Sequence, residues 1–379
     1  MTNARRPHAL ARVLAVVLSG VVLSAAALPA AVWAQNPTPA QIDALFAEWD
    51  RPGSPGCVLG VMRDGAMVYE RGYGFANLDW DVPITPETVF YVGSISKQFT
   101  AASAMLLVRD GRLDLDADIR TYLPEMPAYE RPVTVRHLVH HTSGVRDLYG
   151  AMGDAWLRVE DVFPDSAALA LLAARDSLDF LPGEKYSYSN GGYFLLKTII
   201  ERVSGQSLRE FADARIFGPL GMRDTHFHDR PGHVVERRAM SYAPDSAGSV
   251  VQNYMSNFDK VGAGGLYSTV RDLLRWDGIF YDDLIGGADF ADALLQRGVL
   301  ANGDTLAYAF ALNDTNYRGL RLISHSGSMM GFRADFIRFP AQHLSVAALC
   351  NLGTIQPSRL TRAVAALYLG PLMTAEEQR

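Results

Sequence analysis

The chain has 379 residues, 49% of them hydrophobic and 20% charged, with a formal net charge of -6. That is an ordinary globular composition with room for one large domain or two lobes. A mildly acidic chain without basic clusters excludes a surface built for nucleic acid or for anionic membranes.

The first segment stands apart. Arg5, Arg6 and Arg12 lead into an apolar stretch from Val13 to Leu28, then Pro29 and small residues up to Ala34. Basic, apolar and small-before-cleavage is the pattern of a secretory signal. The apolar stretch is short for a membrane span and ends in proline. Residues 1–34 are therefore expected to be a signal peptide. Residues 35–379 would be a periplasmic or secreted domain with no stable membrane span. Two cysteines follow, Cys57 and Cys350, both in strand-like text. Export permits a disulfide, but two buried thiols acting as small hydrophobes are the expected arrangement.

Thr38-Pro39-Ala40-Gln41 reads as a capped helix start, continued by Ile42, Leu45, Phe46 and Trp49 and stopped by Pro52-Gly53. Cys57–Met62 and Met67–Gly74 read as a β-hairpin around the turn pair Asp64-Gly65. From Phe99 to Asp277 the text is mostly helical, with helices expected near 134–141, 166–175, 192–203, 207–216 and from 268 onward. Leu306–Leu312, Leu320–His325, Ala334–Phe339 and Leu344–Leu352 read as strands, and Gln356–Leu369 as a closing helix. The fold class this predicts is α/β in the α+β sense. An antiparallel sheet is built from both chain ends and covered by the terminal helices, with a mostly helical lobe inserted. The sheet lobe would take about 38–92 and 290–370, and the helical lobe about 93–289.

Three short segments carry chemistry. Ser94-Ile95-Ser96-Lys97 places a hydroxyl and an amine one helical turn apart, on one face. A serine attacks a carbonyl carbon only when a neighbour takes its proton, and a partly desolvated lysine can do so. Only four of the 35 basic residues are lysines, so lysine stands where arginine, which cannot deprotonate, would fail. Tyr188-Ser189-Asn190 sits at a helix entrance. Its phenol can act as base, if a nearby ammonium lowers its proton affinity, or as a proton relay. Its amide can hold a lysine or a substrate carbonyl. His325-Ser326-Gly327-Ser328 ends an apolar strand. There a strand edge can offer backbone N–H groups to an oxyanion, and glycine permits close approach.

In this order the three segments resemble the serine β-lactamase and penicillin-binding protein superfamily, and within it the class C β-lactamase-like branch of DD-peptidases, D-aminopeptidases and esterases. Phe90–Gly93, His137–Gly144, Pro182-Gly183, Phe217–Met222, Ala263–Leu266 and Gly331–Arg333 resemble family text as well, so the likeness covers roughly 38–369. It implies a cofactor-free hydrolase forming an acyl-enzyme on Ser94, with Lys97 as proton acceptor and Tyr188 completing acylation. Asn190, His325, Gly327 and Ser328 would bind substrate, with the Ser94 and Ser328 amides as the oxyanion hole. His325 stands where many β-lactamases have lysine. A neutral imidazole attracts a carboxylate less than an ammonium does, so peptidase or esterase ranks above β-lactamase. The expected partner is a small molecule or short peptide, cell-wall peptide included.

Two other classes compete. His226, His228, Asp229 and His233, or His137, His140 and His141, could be metal ligands, but the spacing of the first fails and the second sits at a helix end in family-like text. A cleft that binds without turnover is the other. The intact set Ser94, Lys97, Tyr188 and Asn190 argues against that loss. Arg333 could meet a substrate carboxylate, but pairing with an acid such as Asp335, or simply facing solvent, is the plainer expectation.

Overall fold

The structure is a computed structural model that describes residues 36–158, 161–253 and 259–375. The expected signal peptide lies outside the described residues.

Helix α1, Pro39–Asp43, starts at Thr38 with the anticipated capping box. It is shorter than expected, because the winding tightens to i→i+3 bonds from Leu45 to Trp49. Ile42 and Phe46 are still fully buried. The hairpin β1, Cys57–Arg63, and β2, Ala66–Tyr73, turns on Asp64 and Gly65, both at positive φ as a tight hairpin requires. The short strand β3, Phe90–Tyr91, leads through a 3-10 turn into α2, Ser96–Arg109. Then come α3, Val135–Val139; α4, Leu148–Asp154; α5, Asp165–Ala173; α6, Asn190–Ser204; and α7, Leu208–Ala212. Strands β4, His226–Phe227, and β5, Leu266–Ser268, make a small sheet with β3 in the order β3-β5-β4. Helix α8, Val270–Asp277, follows at once.

The last third supplies β6, Asn313–Tyr317; β7, Leu320–Met329; β8, Phe332–Phe339; β9, Leu344–Cys350; and the helix α9, Pro357–Leu369. The main sheet runs β6-β7-β8-β9-β1-β2 and is antiparallel throughout. Both chain ends therefore build it, as the alternation of elements predicts. On one face Ile42 and Phe46 meet Val61, Val346, Val364 and Tyr368 under α1 and α9. On the other, α8 lies so close that a Cβ on Gly60 would stand 2.7 Å from a methyl of Val270. Among the described residues no helix is long and apolar enough to cross a membrane.

Two expectations fail. Leu306–Leu312 is not a strand. From Tyr308 on its side chains are buried, but its backbone forms no strand ladder: Ala309 N–H bonds to the Leu312 carbonyl and Ala311 takes φ 57°. A short apolar run cannot by itself distinguish a buried strand from a buried loop. The strand lies one step later, in the polar edge β6. The two cysteines are also not free thiols. The β1–β9 register sets Cys57 directly opposite Cys350, with Cα atoms 4.0 Å apart, and they form a disulfide.

Candidate active site

Ser94 and Lys97 sit where the 3-10 turn becomes α2. Gly93 takes φ 57°, and a Cβ there would stand 2.6 Å from the Ser328 backbone nitrogen. Only glycine lets the turn and β7 approach this closely. Ser96 clamps the turn, donating to the Gly93 carbonyl at 2.5 Å and accepting from Leu266 N–H at 3.1 Å. Lys97 is fully buried. Its Nζ lies 3.1 Å from Ser94 Oγ, 2.8 Å from Asn190 Oδ1 and 2.6 Å from the Ala263 carbonyl. Burial lowers its pKa to about 7, against an opposing pull from Asp147. A neutral amine has two hydrogens and one lone pair. Two carbonyl oxygens can only accept, so they take the two hydrogens and leave the lone pair for the Ser94 hydroxyl.

Asn190 opens α6, behind the Ser189 cap. Its Oδ1 faces the lysine because its Nδ2 donates to Asp147 at 2.9 Å. Tyr188 projects beside them, 37% exposed, with Lys97 Nζ 4.6 Å from its ring centroid. The expected lowering of its phenol does not occur. Burial raises its pKa, and contact with the Ser94 hydroxyl only partly offsets this. Of the two groups, burial weakens the proton affinity of the amine and strengthens that of the phenol.

The third segment also departs from expectation. His325 is not at a strand end, because β7 continues to Met329. A Cβ on Gly327 would stand 2.0 Å from the Val92 carbonyl, so β7 and the nucleophile turn pack backbone to backbone. Asn313 of β6 donates to the Ser324 carbonyl at 3.2 Å. The two-residue repeat then turns the Ser326 and Ser328 backbone groups to the same edge, past the end of β6. That edge, with the Ser328 amide against Gly93, is where an oxyanion would meet it.

His325 is 5% exposed and both its nitrogens are occupied. Ser189 N–H donates to His141 Nδ1 at 3.1 Å. The proton of His141 is therefore on Nε2, which meets the Tyr308 hydroxyl at 3.2 Å. Tyr308 in turn donates to His325 Nε2 at 3.1 Å, and His325 Nδ1–H meets the Ser326 carbonyl at 2.6 Å. Every proton has one place in this chain of bonds. Burial, then the nearby Lys97, lowers the His325 pKa to about 4, and burial holds His141 well below its usual value. A neutral ring with both nitrogens bonded internally offers no charge to a carboxylate.

The sequence reading missed Asp147, the Ala263 carbonyl, and the roles of His141 and Tyr308. Asp147 had a helix-cap signal ahead of Leu148. A backbone carbonyl has no residue signature at all.

The other histidines are placed separately. His137 accepts from Thr134 N–H in a capping box, and His140 lies between the Arg136 and Gln296 carbonyls. The rings of His226, His228 and His233 form a triangle with sides of 5.8 to 6.1 Å beside Tyr267. Among the described residues no three His, Cys, Asp or Glu side chains converge to hold a metal ion. Arg333 does not pair with Asp335. It donates to the Met330 and Phe332 carbonyls, while Asp335 accepts from Thr361 and lies 3.6 Å from Arg362.

Known proteins resemble this chain in sequence and in fold. The chain is 31% identical over 323 residues to a D-aminopeptidase of Gluconobacter oxydans, covering 82% of this chain and 58% of that one. It is 31% identical over 303 residues to penicillin-binding protein 4* of Bacillus subtilis, covering 76% and 66%. It spans less than two thirds of the length of either relative. Among solved structures, the octameric penicillin-binding protein homologue from Pyrococcus abyssi superposes with a TM-score of 0.76 at 31% identity, covering 87% of this chain and 76% of that one. The beta-lactamase family model matches residues 42–369, and the chain belongs to that family.

Proposed function

We propose that the chain is a cofactor-free serine hydrolase that cleaves amide or ester bonds through an acyl-enzyme on Ser94. The observation that carries this reading is the fully buried Lys97 with its Nζ 3.1 Å from the Ser94 hydroxyl, where burial weakens its hold on a proton. Lys97 takes the hydroxyl proton as Oγ bonds to the substrate carbonyl carbon. The amides of Ser94 and Ser328 receive the negative oxygen. The bond to the leaving nitrogen or oxygen then breaks, and the leaving group takes the proton back from Lys97 by way of Tyr188. Water repeats the sequence on the acyl-enzyme, with Lys97 again as base. The cleft would lie between the sheet lobe of about 38–92 and 290–370 and the helical lobe of about 93–289.

His325 ranks the substrates. No charge on that ring meets a carboxylate, so D-amino-acid amides, peptides with a free amino end, and esters stand above carboxylate-bearing β-lactams and C-terminal D-Ala-D-Ala. The names of the D-aminopeptidase relatives support the same order. The leader pattern supports a periplasmic or secreted site of action, where cell-wall peptide is the available substrate.

The test is intact-mass analysis after a fluorophosphonate or a labelled penicillin, on wild type and Ser94→Ala. A panel of p-nitrophenyl esters, D-amino-acid amides, D-Ala-D-Ala peptides and nitrocefin follows. One adduct on wild type, none on Ser94→Ala, and turnover of amides or esters is the expected result. An adduct that persists in Ser94→Ala removes the nucleophile. Labelling without turnover of any panel member would favour a binding protein.

A further inference from the structure

Asn190 serves Lys97 only if its amide is turned one way. Flipped, it would offer its NH2 group to the lysine and donate into the lone pair meant for Ser94. Asp147 prevents the flip. Its Oδ2 accepts both the Asn190 backbone N–H at 2.6 Å and the Asn190 Nδ2 at 2.9 Å. Its Oδ1 accepts Tyr149 N–H at 2.9 Å, as the cap of α4. Three N–H groups converge on one carboxylate. An amide in its place would meet one of them donor to donor, because only one of its two terminal atoms accepts.

Asp147 also acts on Lys97 as a charge, opposing the burial that lowers the ammonium. The other titratable groups facing Lys97 are Tyr188 just before α6, Tyr193 within it, His141 after α3 and His325 on β7. Burial keeps both histidines neutral and both phenols protonated through the neutral range.

We propose that Asp147 is a positioning residue for acylation: it fixes the amide of Asn190 and, through that amide, the orientation of Lys97, while its own negative charge acts on the amine directly. The proposal rests on the assignment of Ser94 as nucleophile and Lys97 as base.

The experiment is the rate of fluorophosphonate labelling from pH 5 to 9, for wild type, Asp147→Ser, Asp147→Asn and Asn190→Ala. Serine can still cap α4 but no longer reaches Asn190 with a charge. In both Asp147 variants the pH-independent rate should fall about 10- to 100-fold. The midpoint of the acid limb should move down by about one unit, because a negative charge favouring the ammonium has gone. Asp147→Ser added to Asn190→Ala should cost little more than Asn190→Ala alone. Thermal unfolding of Asp147→Ser should match wild type within a few degrees, which separates positioning from a folding defect. An unmoved midpoint, or full additivity with Asn190→Ala, overturns the proposal while Ser94-dependent labelling stands. Labelling that survives Ser94→Ala overturns the acyl-enzyme reading and this proposal with it.

Discussion

Two lysines in this chain are buried to nearly the same degree and end in opposite states. Lys97 is 0% exposed and Lys197 is 3% exposed. Burial is the largest single influence on each, and it lowers both. At Lys97 the contacting groups are a hydroxyl, an amide oxygen and a carbonyl, and the pKa drops to about 7. At Lys197 the contacting groups are the carboxylates of Asp165 and Glu201, the latter at 2.7 Å, and the pKa is raised. An opposite charge at about 4 Å is worth about 4 kcal/mol at an effective dielectric near 20, or about three pKa units. That is enough to reverse the effect of burial. A dry pocket alone does not make a base. A dry pocket whose contacts are polar but uncharged does.

The largest effect expected of this contrast comes from exchanging the lysines for arginine. Lys97→Arg should lower Ser94 labelling about a thousandfold or more, because a guanidinium cannot accept the proton. Its unfolding midpoint is the control for fold. Labelling of Lys97→Arg within tenfold of wild type would refute the assignment of the base.

The pH profile sharpens the same contrast. The proposed base Lys97 would act as the neutral amine, so the labelling rate should fall as pH drops through about 7, by about tenfold per unit below the midpoint. His325, with a pKa lowered to about 4, contributes nothing in this window. A midpoint near 10 would mean that Lys97 keeps an ordinary ammonium and that burial has not prevailed.

The same two regions show what a single sequence can reveal. Ser94 and Lys97 are legible because a serine and a lysine three residues apart meet within one turn, and Tyr188 and Asn190 because they flank a helix start. That both chain ends build the sheet was readable from where the strand patterns fall along the chain. What sets Lys97 apart from Lys197 was not. The Ala263 carbonyl reaches Lys97 across 166 residues, and any residue type would supply it. Asp147 reaches Asn190 across 43 residues. The Cys57–Cys350 bond depends on the register of two strands 293 residues apart, which no local pattern encodes. The apolar run at 306–312 was misread because burial, not pairing, selected its residues.

Tyr188 tests the contrast from the side of the phenol. Burial raises its pKa, so it holds its proton at neutral pH and cannot replace the amine as base. Tyr188→Phe should therefore lower turnover of a p-nitrophenyl ester only about tenfold, the loss of a relay, and leave the midpoint near 7. A thousandfold loss would make the phenolate the base and Lys97 its electrostatic partner.

The smallest effect on activity belongs to Lys197, and its value lies in being small. Its ammonium is paired with Asp165 and Glu201, and Lys260 shares Asp165 at 3.4 Å. Lys197→Arg keeps the charge and should leave labelling within about twofold of wild type. Glu201→Gln removes one of the two carboxylates on Lys197 and leaves Asp165 in place, so it should cost stability on the order of 1 kcal/mol in urea unfolding. The acid-limb midpoint should stay in place, since Lys197 takes no part in moving the Ser94 proton. If Glu201→Gln instead moved that midpoint, Lys97 and Lys197 would be coupled, and the separate accounts of their pKa values would have to be joined. An unchanged profile on a destabilised protein leaves Lys97 as the lysine whose protonation the reaction reads.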